Sequence, residues 1–179
     1  GGGDGGCARE ALRWPGATVT LVDIDAAVLD AARRFFPACA AGLDDPRTEV
    51  HVSDGAAFAA AAAARGETYD LVICDSTDCS AAERASGTLY TDAFLVSVAA
   101  LVAPGGFFCR NYTSLLWNTD EAAATLPRYA AHFAYASQFL CGNQAVRRGA
   151  PDNFSLSHFA AMTLPSWLDR AERNLHRHA

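Results

Sequence analysis

The sequence predicts an α/β protein organised around a doubly wound, mostly parallel sheet. Three features lead there. Apolar runs alternate with longer segments of helical spacing, the order expected of βαβ units. Gly1, Gly3 and Gly6 stand at GxGxxG spacing where a helix is about to begin. Carboxylates close the apolar runs, at Asp23, Asp54 and Asp75, which puts them at the carboxyl edge of the sheet, where such folds take their ligands.

After the glycine run, Cys7 to Trp14 forms a helix that Pro15 and Gly16 stop. The β-branched run Thr18 to Ile24 is a strand. Ala26 to Phe35 is a helix closed by Pro37, and an irregular stretch then carries the chain through Asp44, Asp45 and Pro46 to a short strand at Thr48 to Val52. Ala56 to Ala64 is low in complexity, but alanine has the best helix propensity, so it reads as a helix, ended by Gly66. Tyr69 to Cys74 is the clearest buried strand, Thr91 to Val102 a helix, Pro104-Gly105-Gly106 a turn and Phe107 to Asn111 a strand. Farther on we expect a helix over Glu121 to His132, strands near Phe133 to Leu140 and Leu156 to Met162, a polar loop over Asn143 to Asn153 and a closing helix from Ser166. The chain opens directly in its glycine run, with Gly at position 1 and no strand before it. We therefore expect a single nucleotide-binding domain, residues 1–179, truncated ahead of its first strand.

Bulk properties narrow the class. The 179 residues, 51% of them hydrophobic, suffice for one sizeable core and fall short of two ordinary domains. Twenty acidic residues against fourteen basic ones leave a net charge of -6, the wrong sign for gripping a phosphate backbone, so a cationic partner is expected and nucleic acid is not. No apolar stretch approaches the roughly 18 residues that cross a bilayer, and no basic segment leads into an apolar one at the start; a soluble, cytoplasmic protein is expected. Cys7, Cys39, Cys74, Cys79, Cys109 and Cys141 are scattered without CxxC spacing, which suits reduced thiols packed as small hydrophobes.

The acidic residues carry the chemistry. Asp23 lies 19 positions after Asp4, close to the roughly 20-residue spacing at which a carboxylate holds ribose hydroxyls, so the glycines and Asp23 together suggest an adenosine-type ligand. Asp25 is placed to cap the next helix. Asp54, followed by Gly55, can cap the alanine-rich helix, line the ligand edge, or do both. The strand Tyr69 to Cys74 runs straight into Asp75-Ser76-Thr77-Asp78, where two carboxylates three apart can accept hydrogen bonds or a proton from something bound; the same pattern also fits a polar turn. Asp4 narrows the donor. In ordinary methyltransferases the glycine loop receives the methionine end of the cofactor, and a fixed anion there repels a carboxylate and attracts a bare ammonium. The alternative for Asp4 is a simple helix cap.

The opening Gly-Gly-Gly-Asp-Gly-Gly with Arg9 and Glu10, then Val22-Asp23-Ile24-Asp25, Phe36-Pro37, Gly42 through Arg47, Asp54-Gly55, Tyr69 through Ile73 into Asp75 to Asp78, and Pro104-Gly105-Gly106 resemble the spermidine synthase family in order and spacing. The similarity is dense from Gly1 to about Cys109. It implies a Rossmann-like sheet of the AdoMet-dependent methyltransferase type and a polyamine aminopropyltransferase. It implies further that decarboxylated S-adenosylmethionine is a co-substrate and not a tightly bound cofactor, with putrescine the first candidate acceptor. On this resemblance Gly1, Gly3 and Gly6 approach the donor, Asp4 meets its aminopropyl ammonium, Asp23 the ribose, and Asp54 with Gly55 the adenine. Asp75 accepts the proton, and Asp78 helps hold the acceptor amine. No metal is implied, and His51, His132, His158, His176 and His178 show no ligand spacing. The family also implies a homodimer or higher homo-oligomer and an N-terminal β domain not present in this sequence.

Departures from the family pattern cluster around the acceptor. Cys79 and Ala82 stand where prolines are usual, Asn111 stands where a Gln is usual, and the family's Tyr-Pro-Ser-Gly-Gln stretch gives way to Asn143 to Asn153. The acceptor is therefore open among putrescine, spermidine and another amine. Three rivals share the glycine signal: an AdoMet-dependent methyltransferase, against which Asp4 argues; an NAD-linked oxidoreductase, which leaves Asp75 to Asp78 unexplained; and a non-catalytic partner subunit, which the altered Cys79 and Ala82 positions favour.

Overall fold

The computed structural model describes residues 1–76, 87–111, 127–134 and 136. Along the chain they form α1 (Gly6–Ala11), β1 (Val19–Asp23), α2 (Ala26–Phe35), α3 (Pro37–Ala40), a 3₁₀ turn (Ala41–Leu43), β2 (Thr48–Val52), α4 (Gly55–Ala64), β3 (Tyr69–Cys74), a second 3₁₀ turn (Gly87–Tyr90), α5 (Asp92–Leu101) and β4 (Val102–Arg110). The strands pair as β1 with β2 and β3 with β4. The second pair is parallel, with Leu71 opposite Phe107 and Cys74 opposite Arg110. In the first pair Val19 N–H donates to the Arg47 carbonyl at 2.9 Å and Ser53 N–H to the Asp23 carbonyl at 2.8 Å; the two bonds advance in the same sense along both strands, so this pair is parallel too. Helices alternating with parallel strands make the chain α/β, as the sequence predicts.

The chain divides into two compact units. One contains Gly3–Leu21 and Ala26–Val50. Its core joins Ala8 of α1, Leu21 of β1, Leu29 and Ala32 of α2, Ala40 of α3 and Leu43, with Val19 and Val50 packed against them. Leu29 and Ala32 are three apart and so share one face of α2. Gly5 caps α1 in the left-handed region, at φ 75°, and a Cβ there would come within 2.8 Å of Leu43 and 3.0 Å of Ala40. Only glycine meets both conditions, so this residue fixes how closely α1 approaches α3.

The other unit contains Gly1–Gly2, Val22–Asp25 and the described residues of His51–Leu140. Here α4 and α5 bury Ala59, Ala62, Phe94, Val98 and Leu101 together with Cys74 of β3. Each helix has a side-chain cap: the Asp54 carboxylate accepts from Ala57 N–H, and the Thr91 hydroxyl from Phe94 N–H.

Four expectations need correcting. The first helix stops at Ala11, short of Trp14. Pro37 does not lead into an irregular stretch: it takes the first turn of α3, where its missing N–H would have no helical partner in any case. Pro104-Gly105-Gly106 is no turn between elements but part of β4, where Val102 opposes Tyr69 and Phe107 opposes Leu71, so the extra residues form a bulge. Finally, β3 is half-buried along most of its length, with Cys74 alone fully buried and Asp70 exposed. Of the elements expected after Asn111, residues 127–130 are helical, and Phe133, Ala134 and Ala136 are described without strand structure. The remainder, including Asn143 to Asn153, Leu156 to Met162 and the helix from Ser166, lies outside the described residues.

Candidate active site

Asp75 follows the last residue of β3 and is half-buried. Its surroundings are backbone-dense: a Cβ built on Gly1 would collide with the Asp75 carbonyl, so Gly1 sits against the strand end as only glycine can. On the neighbouring strand, burial pushes the Cys109 thiol above its ordinary range, with the Asp75 and Cys74 charges adding to the effect. Asn111, just beyond β4, bonds the segment around Asp75 through its backbone and its side chain. Asp78, Cys79 and Ala82 lie outside the described residues.

The same unit holds two more of the expected carboxylates. Asp23 ends β1 and is buried, 8% exposed; its Oδ1 accepts from Asp25 N–H at 2.9 Å and its carbonyl from Ser53 N–H at 2.8 Å. The end of β1 is thus tied to the residue before Asp54. Asp25 immediately precedes α2, at the position a cap occupies. Asp54 Oδ1 accepts from Ala57 N–H at 2.8 Å, which establishes its capping role, and Gly55 opens α4 behind it. The positive end of α4 therefore begins next to an acidic side chain.

Gly3, Asp4 and Gly6 belong to the other unit. Gly3 and Gly6 are buried, and Asp4 is exposed. Asp4 Oδ1 accepts from Gly6 N–H at 2.9 Å, so the capping alternative holds, while Oδ2 accepts from the Cys39 thiol at 3.6 Å. The carboxylate is held at both oxygens and still faces solvent.

The structure adds roles at residues to which the sequence alone assigned none. Glu10, 9% exposed, receives Arg9 Nε at 2.9 Å on Oε1 and Arg13 Nη1 at 2.8 Å on Oε2. Burial pushes its carboxyl up, but the hydrogen bonds from Arg13 and Arg9 outweigh that and hold it below the usual carboxylate range. The Glu10–Arg13 spacing of three was a visible signal; the burial was not. A group with a depressed folded-state pKa adds stability above its ordinary value, here 4.5, and loses it as pH falls through the folded value. Glu10→Gln is therefore expected to destabilise the protein by about 1–2 kcal/mol at neutral pH, with the gap to wild type closing in strong acid. Urea melts across that range test it; a gap independent of pH would make the contribution packing and not charge.

Arg110, in β4, lies 4.1 Å from the Tyr90 ring centroid and donates through Nη1 to the Leu89 carbonyl and the Tyr129 hydroxyl. Among the described residues its buried Nε and Nη2 have no hydrogen-bond partner. Also among them, no group of three or more His, Cys, Asp or Glu could hold a metal ion, and no helix is long and apolar enough to cross a membrane. Cys7, Cys39, Cys74 and Cys109 form no disulfide among the described residues.

Comparison with known proteins adds the following. The spermine/spermidine synthase domain matches residues 1–141. Spermidine synthase 1 of Datura stramonium is 40% identical over 116 residues, covering 64% of this chain and 36% of the relative. Putrescine N-methyltransferase 2 of Nicotiana attenuata is also 40% identical over 116 residues, covering 64% of this chain and 30% of the relative. Among solved structures, a spermidine synthase in complex with the transition-state analogue AdoDATO superposes with a TM-score of 0.67 at 27% identity, covering 75% of this chain and 45% of that one. The chain thus spans between 30% and 45% of the length of these relatives.

Proposed function

Because the chain belongs to the spermine/spermidine synthase family, we propose that it is the catalytic part of an aminopropyltransferase, which moves the aminopropyl group of decarboxylated S-adenosylmethionine onto an amine such as putrescine. The observation that carries this reading is Asp4, an exposed carboxylate held on the glycine loop by Gly6 N–H and the Cys39 thiol. An anion there favours a donor tail that ends in ammonium over one that also bears a carboxylate.

The chemistry asks for little else. An alkylamine with a pKa near ~10.4 is almost wholly protonated at neutral pH and cannot attack until its proton leaves. Asp75 takes that proton as the nitrogen bonds to the carbon beside the sulfonium; the carbon–sulfur bond breaks, its electron pair returns to sulfur, and methylthioadenosine departs. In this scheme Asp23 binds the ribose hydroxyls, Asp54 and Gly55 the adenine, Gly1, Gly3 and Gly6 allow close approach of the donor, and Asp78 joins Asp4 and Asp75 in holding the amines. Support comes from the strand-end positions of Asp23, Asp54 and Asp75.

Methyl transfer to an amine is the second reading, favoured by the Nicotiana relative. Calorimetric titration of the full-length protein with decarboxylated and with intact S-adenosylmethionine separates the two. We expect the decarboxylated form to bind at least about tenfold more tightly. Equal or reversed preference would move the assignment to methyl transfer, and binding of neither would favour a non-catalytic subunit.

A further inference from the structure

Asn111 is the first residue beyond β4 and makes three hydrogen bonds to the segment that carries Asp75. Its backbone N–H donates to the Cys74 carbonyl at 3.2 Å. Its side-chain Nδ2 donates to the Ser76 carbonyl at 2.6 Å, and its Oδ1 accepts from Ser76 N–H at 3.4 Å. The residue before Asp75 and the residue after it are thus both fastened to one amino acid. The need is physical: the β3–β4 ladder ends at Cys74 opposite Arg110, and beyond it the backbone of β3 must find other partners. A primary amide carries a donor and an acceptor on one rigid plane, so it can serve the N–H and the C=O of a single residue at once.

We propose that Asn111 is a positioning residue for the transfer reaction: it holds the Cys74–Ser76 backbone so that the Asp75 carboxylate stays where it takes the proton of the amine, without touching substrate itself. The inference rests on the assignment of Asp75 as the base. It gives a distinct role to a position where family members usually carry the longer Gln, and it makes the placement of Asp75 depend on β4 as much as on β3. Misplacement of a reacting group by about 1 Å costs on the order of 10²-fold in rate, so a loosened bracket should be visible in turnover and not in affinity.

A double-mutant cycle in the full-length enzyme tests this. Asn111→Ala is expected to lower kcat by about tenfold or more while KM for donor and amine stays within about twofold. In an Asp75→Asn background, where there is no base left to position, the same substitution should change kcat by less than about twofold. Asn111→Asp keeps the side-chain volume but sets an anionic oxygen against the Ser76 carbonyl in place of the donated hydrogen bond; it too should lower kcat, and an unchanged melting temperature guards against a variant that fails to fold. Unchanged kcat in both single variants would overturn the proposal, as would an equal loss in the two backgrounds, the mark of general damage. An Asp75→Asn enzyme as fast as wild type would instead overturn the assignment of the base, and the positioning role with it.

Discussion

Asp75→Asn is expected to lower turnover by about 10²-fold or more while donor affinity stays within about twofold. Asparagine matches aspartate in shape, and the backbone at this point is fixed independently of the carboxylate: Cys74 is buried, the Asp75 carbonyl faces Gly1, and Asn111 holds Cys74 and Ser76. What the substitution removes is a proton acceptor. The residual rate should then follow the fraction of amine that is already deprotonated in solution, rising about tenfold per pH unit below the ~10.4 of an alkylammonium. Steady-state kinetics against pH, beside calorimetry with the donor, read both effects. Turnover equal to wild type would remove Asp75 from the role.

The same variant carries an internal control. Burial is the main reason the Cys109 thiol ionises late, with the Asp75 charge second and Cys74 third. Without the Asp75 charge, Cys109 should ionise at lower pH, and alkylation followed by peptide mapping should show it reacting sooner. An unshifted thiol would mean that the carboxylate does not face Cys109.

Much of the frame was legible in the residues. The limits of α2, β2 and β3 agree with expectation because apolar or β-branched runs there stop against residues that cannot continue them, and Asp54 was readable as a cap because a carboxylate preceded the helix-forming alanines. Pro37 and the Pro104-Gly105-Gly106 stretch were misread for a common reason. Proline ends one element and opens the next with the same local chemistry, and a Pro-Gly-Gly stretch serves a turn or a bulge alike; only the pairing of β4 with β3 decides between them. At the site, the strand-end places of Asp23 and Asp75 followed from spacing, whereas the burial of Glu10 and the direction of the Asn111 amide depend on which segments meet in space, which no local pattern encodes. Asn111 stood out in the sequence only as a departure from a usual Gln.

Asp4→Asn should swing donor preference by about tenfold towards intact S-adenosylmethionine. Two unit charges 4 Å apart interact by about 1 kcal/mol in water and about 4 kcal/mol at the effective dielectric of a protein surface. Asp4 is exposed, so the lower part of that range applies, about 1–2 kcal/mol for the repulsion of the carboxylate, while the attraction to ammonium is common to both donors and cancels. Losing the repulsion shifts the ratio of the two affinities by about 1–2 kcal/mol, which brackets tenfold. Asparagine keeps Oδ1 as an acceptor for Gly6 N–H, so the start of α1 should hold and the melting temperature should change little. Titration of the variant with each donor measures the swing directly, and because the charges are exposed it should shrink as salt is added. A variant that keeps the preference of wild type would leave Asp4 as a helix cap alone, and donor selection would then have to come from other residues.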